Sequence, residues 1–192
     1  VIMDGRLDDD RAYVYTAATK RQGGIQSGQT RAIIALRVAP SVDNGISGDF
    51  GTRELVNRMQ LVLSQVDISS NGKFFVELVL NPIPSLQGTW VPVGGTSLAQ
   101  FAILDVATEF TGGEVIFGFY SDNGVNSYNL AEVKEISNSI LGGGTTTYNV
   151  STAPNPTGVF PDGPEVLAIR ATNITGSQKG IDARFSWKEA QA

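Results

Sequence analysis

Few residues in this chain could do chemistry, because histidine and cysteine are both absent from its 192 residues. Without them there is no Ser-His-Asp or Cys-His arrangement, no thiolate nucleophile and no ordinary zinc or copper centre. Carboxylate, lysine, tyrosine and hydroxyl chemistry is left. Glycoside hydrolysis needs only two carboxylates roughly 5–10 Å apart, so it is the enzymatic route that best survives the loss of histidine. Glu77, Asp105, Glu109 and Glu114 are the carboxylates in or near expected strands. Nothing in their spacing makes any two face each other, and a solvated outer strand face accounts for them more simply.

Asp4 with Asp8-Asp9-Asp10 is rich enough in oxygen to suit a hard cation such as calcium, but the spacing matches no EF-hand loop and reads as a solvated acidic segment. Asp122-Asn123-Gly124 also offers oxygens, and a hairpin turn explains it fully. Gly94-Gly95-Thr96-Ser97 and Gly142-Gly143-Gly144-Thr145 have the glycine content of phosphate-cradling loops without the Gly-Lys-Ser/Thr ending, so they read as turns. Asn149-Val150-Ser151 and Asn173-Ile174-Thr175 are formal glycosylation triplets of a kind that chance often produces. Trp90, Tyr120, Tyr128 and Tyr148 suit stacking on sugars, and Trp90 and Tyr120 serve equally as core or rim aromatics. Residue chemistry therefore assigns no catalytic, cofactor-binding or metal-ligating residue, and the expectation is a non-enzyme.

The elements that would position these groups follow from composition and pattern. A chain of 20.4 kDa fits one domain, or a domain with an appended arm. Hydrophobic residues make up 41% and charged residues 17%, below the roughly 25% charged that is usual. The surface then relies on Ser, Thr, Asn, Gln and Gly, as in many β-rich proteins and in chains that lie against neighbouring subunits. Fourteen basic against nineteen acidic residues give a net charge of −5, which repels nucleic acid and anionic membrane. No apolar stretch approaches the roughly 20 residues of a membrane-spanning helix, and the first residues lack a signal-peptide pattern. A soluble domain is expected, and a start at Val1 fits a trimmed chain or a piece of a longer polypeptide.

Residues 1–30 read as an arm holding one strand around Tyr13-Val14-Tyr15. Strand signals then follow closely, beginning with the β-branched run Ala32–Val38. Met59, Leu61 and Leu63 fit one side of a strand, and Asn71-Gly72 leads into Phe74, Val76, Leu78 and Leu80 at alternate positions. Because Asn-Gly suits a type I′ turn, 59–69 is expected to pair with 73–80 as a hairpin. Further strands are expected at Thr89–Val93, around Gln100–Ala107 and at Glu114–Tyr120. Asn129 as cap, Glu132 three residues later, and Leu130, Val133, Ile136 and Ile140 on one face predict a short helix over 129–141. A final pair of strands, Val166–Ala171 and 181–188, closes the chain, with Ile181, Ala183, Phe185 and Trp187 alternating against polar residues.

About eight to ten short strands, frequent turns and no βαβ rhythm predict an all-β, two-sheet β-sandwich, jelly-roll-like in preference to immunoglobulin-like. The sandwich would cover 31–192, with a long loop at about 142–164 that holds Pro154, Pro156 and Pro161. A loop of that length inside a domain is expected to be functional, disordered, or ordered by a neighbour.

Four strings carry a family resemblance: Asn57-Arg58-Met59-Gln60-Leu61, Asn138-Ser139-Ile140-Leu141-Gly142-Gly143, Pro161-Asp162-Gly163-Pro164-Glu165-Val166-Leu167 and Ser186-Trp187-Lys188-Glu189-Ala190-Gln191-Ala192. In that order, over roughly Arg31 to Ala192, they resemble the closing domain of virion structural proteins from tailed bacteriophages. The resemblance implies a non-catalytic fibre, decoration or neck-associated subunit located in the virion. It further implies a homo-oligomer, with a trimer favoured, in contact with other virion proteins. It brings no catalytic residues and no cofactor, and residues 1–30 lie outside it. Two other readings stand beside it: a carbohydrate-binding or carbohydrate-cleaving adhesin module that meets a host-surface glycan, and a non-viral β-sandwich adhesion domain.

Overall fold

The computed structural model describes residues 13–19, 24–39, 59–83, 89–94, 97–104, 112–130, 140–141 and 165–190. Among them run β1 (Tyr13–Thr19), β2 (Thr30–Val38), β3 (Gln60–Ser70), β4 (Phe74–Ile83), β5 (Val91–Pro92), β6 (Ala99–Ile103), β7 (Gly112–Ser121), β8 (Gly124–Asn129), β9 (Ile140–Leu141), β10 (Val166–Asn173) and β11 (Ile181–Ala190).

The strands form two antiparallel sheets. One has the order β1-β11-β3-β8, with β9 against the start of β3; the other has the order β5-β6-β2-β10-β4-β7. The pairing is nested. β1 pairs with β11, β2 with β10, β3 with β8 and β4 with β7. A chain doubled into one long hairpin and then rolled gives this nesting, and the fold is therefore a jelly roll, a β-sandwich as the strand pattern predicts. Strands β5 and β6 lie between β4 and β7 in the chain and extend the larger sheet beyond β2.

Alternation explains why the two sheets face each other. On β11, Ile181, Ala183, Phe185 and Trp187 are all buried and share one cluster with Leu61, Leu63, Val66 and Ile68 of β3. Across the sandwich the same cluster takes Ile34, Leu36 and Val38 of β2, Phe74, Val76 and Leu78 of β4, and Leu167, Ile169 and Ala171 of β10. The apolar spacing on β3 skips between Leu63 and Val66 because the β3–β11 register shifts there. Ser64 is the extra residue of this bulge. Its hydroxyl donates to the Ser186 carbonyl (3.0 Å) and its own carbonyl accepts from Leu130 N (2.9 Å), so the disturbed backbone is satisfied.

Several expectations are corrected. Asn71-Gly72 joins no hairpin, because β3 and β4 belong to different sheets and the chain crosses the sandwich at this corner. Neither residue has the positive φ of a type I′ turn. Instead Asn71 Oδ1 accepts from Gly180 N (2.8 Å), and a Cβ on Gly72 would sit 2.4 Å from the Lys179 side chain, so glycine permits the close approach. Asp122-Asn123-Gly124 is likewise a corner between sheets, from β7 to β8, and not a hairpin turn. The closing strands β10 and β11 exist where expected but also sit in different sheets. The helix over 129–141 is overturned at both ends: Asn129 ends β8 opposite Gln65, and Ile140–Leu141 is a strand opposite Leu61 and Gln60. Residues 131–139 lie outside the described residues.

The opening segment contributes β1, paired along its length with β11, and Ile25 is buried and bridged to Lys179. The described part of 1–30 is thus built into the sandwich. The loop expected at 142–164 lies outside the described residues.

Candidate functional site: occupied carboxylates beside exposed apolar side chains

Antiparallel register sets Glu77 of β4 directly opposite Arg170 of β10. The guanidinium forks onto the carboxylate, with Nε 2.7 Å from Oε2 and Nη2 3.1 Å from Oε1. Both side chains are about 15% exposed, 16% for Arg170 and 15% for Glu77, which makes this a partly buried bidentate pair. A carboxylate held in that way is a poor general acid or nucleophile, because both of its oxygens are already engaged by the guanidinium.

Asp67 of β3 is committed in the same manner. It accepts from Arg184 Nε (2.7 Å) and Gln65 Nε2 (2.6 Å). Burial alone would raise its carboxyl, but hydrogen bonds with Ser127, Gln65 and Arg184, together with the Arg184 charge, outweigh burial and hold it below the usual carboxylate range.

Among the described acids Glu189 is the most deeply placed, and it lies in the terminal string of the phage-like resemblance. Its Oε1 accepts from Ser97 Oγ (2.5 Å) and Trp187 Nε1 (2.8 Å), and its Oε2 accepts from Leu98 N (3.1 Å). Ser97 Oγ accepts in turn from Ala99 N (3.2 Å). The end of β11 is thereby fastened to the entry of β6, and so one sheet to the other. Sequence reasoning missed this site, since Ser97 and Glu189 are 92 positions apart and no local pattern links them. The glycine turn expected at Ser97 agrees with Ser97 N donating to the Gly94 carbonyl (3.3 Å).

Aromatic side chains gather next to the Glu77–Arg170 pair. Phe75 and Tyr120 face each other across β4 and β7, with ring centroids 5.1 Å apart. Tyr120 is 71% exposed. Tyr128 stacks instead on Phe119 (3.8 Å) and donates its hydroxyl to the Tyr120 carbonyl (2.6 Å). Burial pushes the Tyr128 phenol up; the Ser121 hydrogen bond opposes this and the Asp122 carboxylate adds to it. Trp90 lies under Arg37, 4.2 Å from guanidinium carbon to ring centroid, while Arg37 Nε donates to Gln100 Oε1 (2.9 Å). Burial lowers Arg37 to about 10.

The remaining sequence candidates divide cleanly. Glu114 is exposed on β7. At the Asp122 corner, Asp122 forms an exposed ion pair with Lys73 (3.4 Å), and its carbonyl accepts from Ser70 Oγ and Asn126 Nδ2. Asn173 is fully buried, its Nδ2 donating to the carbonyls of Ile25 (2.6 Å) and Ser177 (2.9 Å) and its Oδ1 accepting from Thr175 N and Thr175 Oγ1. An amide so placed is a loop clasp and not a glycan acceptor in the folded chain. Asp4, Asp8, Asp9, Asp10, Asp105, Glu109, Gly95, Thr96, Tyr148, Asn149 and the Gly142–Thr145 run lie outside the described residues. Among the described residues no group of three or more acidic side chains could hold a metal ion, and no helix is long and apolar enough to cross a membrane.

While Glu77, Asp67 and Glu189 are engaged within the framework, large apolar side chains stand in solvent: Val125 (75% exposed), Tyr120, Ile103 (56%) and Val115 (48%). No protein-family model and no curated protein matches the sequence. A chain from the structure of infectious bursal disease virus, Gx strain, aligns at 11% identity and a TM-score of 0.21, over 96% of this chain and 42% of that one. This chain thus spans less than half the length of that viral chain, and a likeness so slight carries no argument about function.

Proposed function

We propose that this chain is a non-catalytic structural subunit of a virus particle, of the tailed-phage fibre, decoration or neck type, working through contacts with copies of itself and with other particle proteins. One contrast carries the reading: Glu77, Asp67 and Glu189 are tied into the framework, while Val125, Tyr120, Ile103 and Val115 stand exposed on the strands. Val115 and Tyr120 stand exposed on the same strand, β7, and association with another protein would cover them. The jelly roll supports the reading as a fold that shell and attachment proteins use, and the four resemblance strings give it its phage-like form. The test is to purify intact particles, identify the chain in them by peptide mass spectrometry and locate it by electron microscopy. Presence at fixed stoichiometry in the particle is expected, and absence from it would exclude the reading.

A carbohydrate-binding module is the second reading, favoured by the Phe75–Tyr120 pair beside Arg170 and Glu77. An exposed ring next to planar polar groups suits the apolar face of a sugar. A glycan array probed with the chain and with Tyr120→Ala tests it, and equal signals from both would remove it.

A further inference from the structure

We infer that copies of this chain are joined by sheet continuation, β8 of one copy pairing antiparallel with β1 of the next. This deepens the assembly reading above and rests on it. The inference comes from how differently the two sheets treat their edges, since an edge strand that is to stay single is normally shortened, bulged, charged or interrupted by proline.

The six-stranded sheet protects both of its edges. At one end, β5 is two residues long and one of them is Pro92. At the other, β7 carries Glu114, and its register against β4 breaks between Leu78 and Val79 and again between Leu80 and Ile83. Gly113 takes a φ of 111° within that irregular stretch, where a Cβ would lie 2.9 Å from the Pro82 backbone. These are the devices that turn an edge away from pairing.

Among the described residues, the two longer edge strands of the five-stranded sheet carry no charge, proline or bulge, and only the two-residue β9, against the start of β3, is cut short. The two longer edge strands are β1, Tyr13-Val14-Tyr15-Thr16-Ala17-Ala18-Thr19, and β8, Gly124-Val125-Asn126-Ser127-Tyr128-Asn129, and neither contains a charged residue or a proline. Both keep an unbroken register, β1 against β11 from Tyr13 to Thr19 and β8 against β3 from Gly124 to Asn129. Their lengths, 7 and 6 residues, nearly match.

Polarity also fits. The path β1-β11-β3-β8 is antiparallel at every step, so β8 runs opposite to β1. A second copy in the same orientation therefore brings its β1 to β8 as one more antiparallel strand, and the backbone of residues 124–128 gains a ladder. Two different edges meet, so the contact is head-to-tail and builds a ring where the rotation closes, as in a trimer, or a filament where it does not. Two copies of β8 meeting each other would instead end at a dimer.

The native chain lacks cysteine, which makes the test clean. Val125 on β8 and Thr16 on β1 are both exposed, so cysteine at either place disturbs no core. The full chain is prepared as Val125→Cys, as Thr16→Cys and as the double variant, and each is treated with a short bis-maleimide. Covalent multimers are expected from the double variant, dimers from an equimolar mixture of the two single variants, and neither from a single variant alone. Val125→Lys is expected to abolish association in the otherwise native chain. Dimers from Val125→Cys alone would overturn the inference in favour of β8 meeting β8. Multimers by light scattering without cross-linking in the mixture would overturn it while leaving the assembly reading intact, whereas monomer throughout would remove both.

Discussion

Arg170 and Glu77, opposite one another on β10 and β4, form a two-point ion pair at 2.7 and 3.1 Å on the larger sheet. One of the four carboxylates considered for glycoside hydrolysis is therefore a cross-strand tie. Glu77→Gln should keep the shape, lose the charge and lower unfolding free energy by about 1–3 kcal/mol in urea titration. Arg170→Ala should cost at least as much, and a double-mutant cycle should show strong coupling. An unchanged stability in Glu77→Gln together with loss of a glycan-cleaving activity would reverse the assignment.

Asp67 predicts a pH dependence. Its folded-state carboxyl is held below the unfolded value of about 3.9, so near that value the unfolded chain binds more protons than the native one. The stabilisation is fully present above that unfolded value and is lost as pH falls through the lower folded one. Urea midpoints for the native chain and Asp67→Asn should differ most at neutral pH and converge under acid conditions. A constant difference across the series would show that Arg184 and Gln65 do not bias the charged form.

Glu189 predicts a link between sheets. Glu189→Ala removes the acceptor shared by the Ser97 hydroxyl, Leu98 N–H and Trp187 indole N–H, a loss of about 2–4 kcal/mol. Trp187 fluorescence should shift in the native state of the variant, because its indole loses a charged acceptor. Glu189→Gln, which retains an acceptor oxygen, should recover part of the stability.

Asn173 predicts an absence of modification. Expressed in a glycosylating host, the folded chain should carry no glycan at this position, since both ends of the amide are engaged in the interior. Asn173→Ala should destabilise by about 2–3 kcal/mol, measured by chemical unfolding, through loss of the carbonyls it holds at Ile25 and Ser177.

Those particulars show what local pattern can carry. The alternation Ile181, Ala183, Phe185, Trp187 is a two-residue period with one buried face, and it marks β11 whatever strand lies beside it. Pairing is another matter. Asn71-Gly72 has the composition of a hairpin turn, yet β3 finds its partners in β8 and β11, which lie far along the chain. Nested partners leave no mark in the residues between them. The helix expected over 129–141 does not start at its expected cap for a related reason: Asn129 is drawn into the ladder opposite Gln65, and tertiary pairing outweighs a capping signal. The site was least readable of all. Glu77 was visible as a carboxylate, but the partner that neutralises it stands 93 positions away, and Glu189 entered only as part of a string.

The central claim is that this chain works by associating, and its solution mass tests that most directly. Sedimentation velocity on the full chain across a concentration series should show a discrete species heavier than the 20.4 kDa protomer that gains population with concentration. A single species at the protomer mass across the whole series would contradict the account.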